Sequence, residues 1–464
     1  MPELNNKQVL VLGLGQRGQA ACRLLVQAGA RVLALDAADT PALRQRAVEL
    51  IGLGARVELG CSQAPADHFD LAVLSPGVAP ANPLVQELQR GGVPVMGELE
   101  LGFQCARCLT LAIAGTNGKA TTARMIAAML AREHRRALIC GHQARPVCEA
   151  VQESKDLDYL VLVANAFQLE TADNFHPSVA VLTNLAADHL DRFASFDAYC
   201  QAVARIFARQ QPFDWAIVQS EALATLSKLG LAPRGKVVTF SADDPEADLI
   251  LERGLLLSRV PGWEGPLLDM DTCALRGPHH AENFMAALAV GRALRLPLDS
   301  GLAALRELAP APHCGEVVAE RRGVQFINDS KATNPHAMQG AVRGIPPAPG
   351  GLPNVWLIAG GRDKGLDFHG VAPLISRRAK GAFLLGEARE QIRAAWGLFT
   401  PCMLVNSLPE AVAEAAKRAV PGDVVLLAPA CSSRDQFRDY PHRGDGFRAA
   451  VKGICEGDNA NAAP

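Results

Sequence analysis

Residues 109–132 read LTLAIAGTNGKATTARMIAAMLAR. The apolar run Leu109–Ala114 predicts a buried strand, Gly115 to Lys119 a glycine-bounded loop, and Ala123–Arg132 a helix. A strand that enters such a loop and leaves it through a lysine into a helix suits phosphate binding. Backbone N–H groups of Gly115, Thr116, Asn117 and Gly118 wrap phosphate oxygens, and Lys119 reaches the terminal ones. Thr121 joins them as a candidate nucleotide contact. The residue after the lysine is ordinarily a serine or threonine whose hydroxyl binds Mg2+. Here it is Ala120, and Thr121 would replace it only by a one-residue slip that the backbone cradle opposes.

Upstream, Gln8–Leu12 reads as a strand, followed by the turn GLGQRG (residues 13–18), a helix over Gln19–Ala28 and a strand over Arg31–Leu35 ending in Asp36. This is a βαβ unit whose glycines, Gly13, Gly15 and Gly18, let a pyrophosphate sit at a helix N-terminus. Asp36 can accept from a ribose hydroxyl or a base edge, or serve as a helix cap. A further strand, Leu71–Leu74, ends in a turn holding Ser75 and Gly77.

Downstream, strands are expected at Tyr159–Val163, Val179–Thr183 and Trp215–Gln219, then at Val324–Ile327, Val355–Ala359, Gly381–Leu385 and Val424–Leu427. Helical patterns such as Leu408–Ala419 separate them, and such alternation implies parallel sheets. The fold class is α/β in three domains. Residues 1–104 are expected to form a Rossmann-like nucleotide domain, 105–310 a central P-loop domain, and 311–464 a second Rossmann-like domain.

Composition narrows the function. The 46 basic and 48 acidic residues give a net charge of −2, which offers no electrostatic footprint for nucleic acid or an anionic membrane. Polar Met1–Lys7 runs straight into Val9–Leu12, and no apolar run is long enough to span a bilayer, so a cytoplasmic protein is expected. Cys22, Cys140, Cys273 and Cys402 sit in apolar stretches as small buried residues do. Cys105 and Cys108 form a C-x-x-C with no second pair to complete a metal site. The last stretch, from Glu456 to Pro464, reads as a loose tail.

Six phrases occur in order: GTNGK (115–119), FQLET (167–171), DHLDR (188–192), NDSKATN (328–334), GGRDKG (360–365) and PACSSRDQF (429–437). With them the chain resembles the Mur ligase family, MurD type, over nearly its whole length. The resemblance implies ATP-dependent joining of D-glutamate to UDP-N-acetylmuramoyl-L-alanine through an acyl phosphate, in peptidoglycan synthesis, by a monomer using ATP and Mg2+. It places Lys119 and His189 in catalysis, His189 also at a metal, and Asn283, Asp329 and Lys331 beside the nucleotide. It assigns Gly13, Gly15, Gly18, Asp36, Ser75 and Gly77 to the UDP-sugar. Thr333, Lys364, Ser433 and Tyr440 fall where the family holds the D-glutamate carboxylates, which cations and hydroxyls suit.

The chain also departs from the family. Besides Ala120, Val163 stands where the family has a metal-binding glutamate, and Val203 where it has a carbamylated lysine. His280 and His142 each replace an asparagine, Cys314 an arginine, and Arg17 a small residue. Two functions follow. One is a ligase that recruits replacement ligands such as Asp188 or His142. The other is a non-catalytic paralog that binds UDP-sugar or glutamate, with His189 a structural histidine.

Overall fold

The computed structural model describes residues 3–63 and 68–461. Three sheets follow one another along the chain. The first has the spatial order Arg56–Leu59, Arg31–Asp36, Gln8–Leu12, Leu71–Leu74, Val95–Gly97, all parallel. The second, of nine strands, has Trp215–Gln219 in its middle, followed in space by Val179–Leu182, Leu109–Ala114 and Tyr159–Val163. The third, of six, is centred on Val424–Leu427 and Val355–Gly360.

Two sheets are not wholly parallel, contrary to the expectation from alternation. Leu249–Glu252, Leu255–Ser258 and Gly265–Asp269 form an antiparallel edge on the second sheet, and Glu316–Arg321 pairs antiparallel with Val324–Asn328 on the third. The cause is local. Arg253 and Gly254 (φ 49° and 83°), and Arg322 and Gly323 (φ 52° and 73°), are two-residue turns with both φ positive, the geometry of a tight hairpin. An Arg-Gly pair is a weaker hairpin signal than Asn-Gly, so the sequence pattern hid both turns.

Helix starts also differ from expectation. The first helix begins at Gln16 and the P-loop helix at Lys119, each directly after its glycine loop. Gly18 therefore lies inside a helix, with its Cβ position 1.8 Å from the Gly13 carbonyl oxygen. Only glycine permits that approach. Gly118 sits at φ 84° just ahead of Lys119, and a Cβ there would meet Asn283 Oδ1 at 2.3 Å. The expected loose tail is helical instead, since Tyr440–Asn461 is one helix; residues 462–464 lie outside the described residues.

The strand Leu109–Ala114 is buried from Thr110 onward, which accounts for its unbroken apolar run. The first two sheets share a core. The helix Glu98–Cys105 buries Leu99 and Leu101 completely, and Gly102 lies tight against Val147. Each buried leucine contributes about 1.5–3 kcal/mol. Among the described residues no helix is long and apolar enough to cross a membrane. All twelve cysteines are free thiols; Cys22, Cys105, Cys140 and Cys273 are buried, Cys108 and Cys402 half-buried.

Candidate functional site

A cavity of about 960 Å3 opens between the three sheets. Its walls are the segments that follow the strands ending at Ala114, Val163, Leu182, Gln219, Asn328, Gly360 and Leu427, so it lies beyond the carboxyl ends of the strands, where open α/β sheets bind ligands.

The P-loop is built from hydrogen bonds to the next strand's end. Thr116 N–H donates to Asn184 O at 3.1 Å, Asn117 N–H donates to Asn184 Oδ1 at 2.9 Å, and Thr183 Oγ1 donates to Asn117 O at 2.5 Å. Thr116 Oγ1 lies 2.9 Å from the Tyr199 hydroxyl and donates to Ala186 O at 3.1 Å. Lys119 folds back on this loop, donating to Gly115 O at 2.6 Å and Thr116 O at 2.9 Å. Burial, with Lys331 nearby and against the pull of Asp188, lowers its ammonium to about 8.

Asp188 ties the central domain to the third. Its Oδ1 accepts from Lys364 Nζ at 2.8 Å and from the His189 N–H at 2.8 Å, and its Oδ2 accepts from Asn334 Nδ2 at 3.0 Å. Burial opposes the ionised carboxylate, but Lys364 and His189 outweigh it and hold the acid below the usual carboxylate range. Asn117 and Asn334 exchange amide hydrogen bonds at 3.1 Å across the same boundary. His189, at φ 56°, packs its ring 4.8 Å from Phe167, and burial lowers its pKa against the attraction of Asp188.

The expected site residues divide into two groups. Lining the cavity are Thr116, Asn117, Gly118, Lys119 and Thr121 of the P-loop, His189 and Asn283 beside it, and Gly77 from the first domain. Asp329, Lys331, Thr333, Lys364, Ser433 and Tyr440 line it from the third domain. Burial raises Asp329 to about 7, against the pull of the Gly315 N–H and of Lys331.

Outside the lining are Gly115, Gly13, Gly15, Gly18, Ser75 and Asp36. Asp36, expected at a ribose, a base edge or a helix end, braces the glycine loop: its oxygens accept from Leu14 N–H at 2.7 Å and Ala38 N–H at 2.9 Å. Arg17 does line the cavity, bonding Gly141 O at 3.0 Å.

Mg2+ does not fit the groups present. Ala120 and Val163 line the wall with methyl groups, and Val203 is core, 1 % exposed. The candidate replacements are engaged elsewhere. Asp188 has both oxygens bonded, and His142 accepts from Asn165 Nδ2 at 3.1 Å, while burial and then Lys119 and Arg17 lower its imidazole to about 3. Among the described residues no three His, Cys, Asp or Glu side chains converge to hold a metal ion.

Arg443 was not legible as part of this site. It is 2 % exposed and spans three acceptors: Ser330 Oγ at 3.1 Å, Cys431 O at 3.1 Å and Ser330 O at 2.9 Å. It thereby joins the loops that carry Lys331, Thr333 and Ser433. Arginine is a surface residue by default, and no sequence pattern marked this one as buried.

Comparison with known proteins agrees with this layout. The chain matches the models of the Mur ligase MurD-like N-terminal domain over residues 7–97, the Mur ligase middle domain over 113–291 and the Mur ligase glutamate ligase domain over 315–431. It is 37 % identical to the UDP-N-acetylmuramoylalanine–D-glutamate ligase of Acidobacterium capsulatum, covering 99 % of this chain and 100 % of that protein. It is 38 % identical to the ligase of the same name from Anaeromyxobacter dehalogenans, covering 96 % and 98 %. Among solved structures it is similar in fold to a pseudomurein peptide ligase type C from Methanothermus fervidus, with TM-score 0.60, 16 % identity and coverage of 97 % and 100 %. The UDP-N-acetylmuramate-alanine ligase MurC of Thermotoga maritima gives TM-score 0.57 at 17 % identity, with the same coverage.

Proposed function

The chain belongs to the Mur ligase family, MurD type, and from that premise we propose that its cavity gathers ATP, UDP-N-acetylmuramoyl-L-alanine and D-glutamate for addition of the amino acid to the sugar nucleotide. One observation carries this reading. The P-loop with Lys119, the first-domain residues Arg17 and Gly77, and the third-domain group Thr333, Lys364, Ser433 and Tyr440 all face one cavity.

In the reaction so proposed, a carboxylate oxygen of the sugar nucleotide takes the terminal phosphoryl group of ATP and ADP leaves. The glutamate amine then attacks the acyl carbon, phosphate departs and the nitrogen loses a proton. Lys119 faces the phosphates as a point charge, and Lys364 with Ser433 receives a glutamate carboxylate.

A second reading, a binding protein with the same pocket and impaired turnover, is favoured by Ala120, Val163 and Val203, which present carbon where a metal-assisted phosphoryl transfer needs oxygen. Removing a single electrostatic contact to a transition state costs about 10²–10³ in rate. The test is phosphate release by the purified protein with all three substrates and Mg2+, with Lys119→Ala as control and the product identified by mass spectrometry. Turnover abolished by Lys119→Ala supports the ligase. Absence of turnover with retained binding of the sugar nucleotide or D-glutamate supports the binding protein.

A further inference from the structure

We infer that the phosphate end of this cavity holds a nucleotide without a divalent cation, with Arg17, Lys119 and Lys331 supplying the counter-charge. The inference rests on the reading of the P-loop as a nucleotide site, and it concerns what neutralises the phosphates there.

Mg2+ demands near-octahedral oxygen coordination and is ordinarily held by a hydroxyl or carboxylates together with phosphate oxygens and water. The helix that begins at Lys119 presents the methyl group of Ala120 next, and the end of the strand beside Leu109–Ala114 presents Val163. Asp188, the carboxylate that acts on Lys119, already has both oxygens bonded, to Lys364, Asn334 and the His189 N–H. A metal that took Asp188 would strand the Lys364 ammonium, whose side chain is only 11 % exposed.

The charge around the loop points the same way. Lys119, Lys331 and Arg17 lie close enough together that Lys331 disfavours the charge on Lys119, and both lysines and Arg17 disfavour protonation of His142. Such a cluster repels a dication and attracts a polyphosphate. Lys119 spends its hydrogen bonds on two carbonyls of its own loop, Gly115 O and Thr116 O, which an arriving phosphate oxygen can replace. Asp188, Asp191 and Asp329 also line the cavity, but Asp188 is paired with Lys364, Asp191 is exposed and burial raises Asp329 to about 7, so the three cations should favour the fully charged nucleotide over its magnesium complex.

The experiment is calorimetric titration of the full-length protein with ATP, once in EDTA and once in excess Mg2+. Affinity in EDTA equal to or tighter than that in Mg2+ is expected. In the variant carrying Ala120→Thr and Val163→Glu, Mg2+ is expected to tighten ATP binding about tenfold, a change of ~1.4 kcal/mol. That variant should also bind Mn2+ detectably by electron paramagnetic resonance. The wild-type comparison stands alone where the variant fails to fold. Wild-type binding about tenfold tighter with Mg2+ than without it overturns the inference and leaves the nucleotide reading intact. Failure of ATP to bind in either buffer, while the sugar nucleotide still binds, overturns the nucleotide reading and the inference with it.

Discussion

Replacing Arg443 by methionine tests whether the third-domain pocket is held by one buried cation. The guanidinium donates to Ser330 Oγ, Ser330 O and Cys431 O, and burial lowers its pKa to about 10. Methionine fills much of the volume and donates nothing. Two buried carbonyls then lose their partner, at about 1–3 kcal/mol for each unsatisfied group, while the Ser330 hydroxyl keeps its bond to Tyr440 O at 2.8 Å. Removing a desolvated charge returns part of this, so the net loss should be about 2–4 kcal/mol. For a domain of this size that corresponds to a fall of roughly 10 °C in melting temperature.

Trp356 and Trp396 both lie in the third domain and report its unfolding in urea, Trp396 being fully buried with its indole N–H bonded to Phe368 O at 2.8 Å. The substitution should also weaken D-glutamate binding, because Ser330 and Cys431 belong to the loops that carry Thr333 and Ser433. A loss below about 1 kcal/mol with unchanged glutamate affinity would refute the buttress argument, since a surface substitution costs no more than that.

Other outcomes follow from the same geometry. Lys119 is lowered to about 8 and a bound phosphate must raise it. Nucleotide affinity should then be flat below pH 8, where the lysine is already protonated, and should fall up to about tenfold per unit above it as binding takes up a proton. Titrations across this range that show no decline, or the same decline in Lys119→Arg, contradict the assignment. Asp188→Ala removes the counter-charge of Lys364 and should open the cleft between the second and third domains, read as a larger radius of gyration by small-angle scattering. Because the Asp188 carboxyl titrates below its usual value, the wild-type contact is complete at neutral pH and is lost as pH falls through that depressed pKa. Gly18→Ala drives a methyl group into the Gly13 carbonyl and should cost about 1–3 kcal/mol while weakening sugar-nucleotide binding, measured by thermal unfolding and titration.

Much of this protein was legible from residue order alone. The strands at Gln8–Leu12, Leu71–Leu74, Leu109–Ala114, Tyr159–Val163, Trp215–Gln219 and Val424–Leu427 lie where their apolar runs place them, because strands buried on both faces carry unbroken hydrophobicity. The glycine loops were equally legible, since only glycine tolerates the Gly13–Gly18 approach and the turn at Gly118. The non-ligating Ala120 and Val163 could be read because a missing hydroxyl or carboxylate is a chemical fact independent of conformation.

What the sequence could not specify is who partners whom across the cleft. Asp188 is one residue of a motif until tertiary packing sets Lys364, 176 positions away, 2.8 Å from it. Arg443 reads as a surface cation until the loops around Ser330 and Cys431 close over it. Asp36 suited a ribose, a base edge or a helix cap by position, and only the folded loop shows its oxygens bonded to Leu14 and Ala38. Local propensity and steric limits act between neighbours in the chain and are written there. Ion pairing and desolvation act between groups that only the packed domains bring together, and those terms decided the electrostatics of this site.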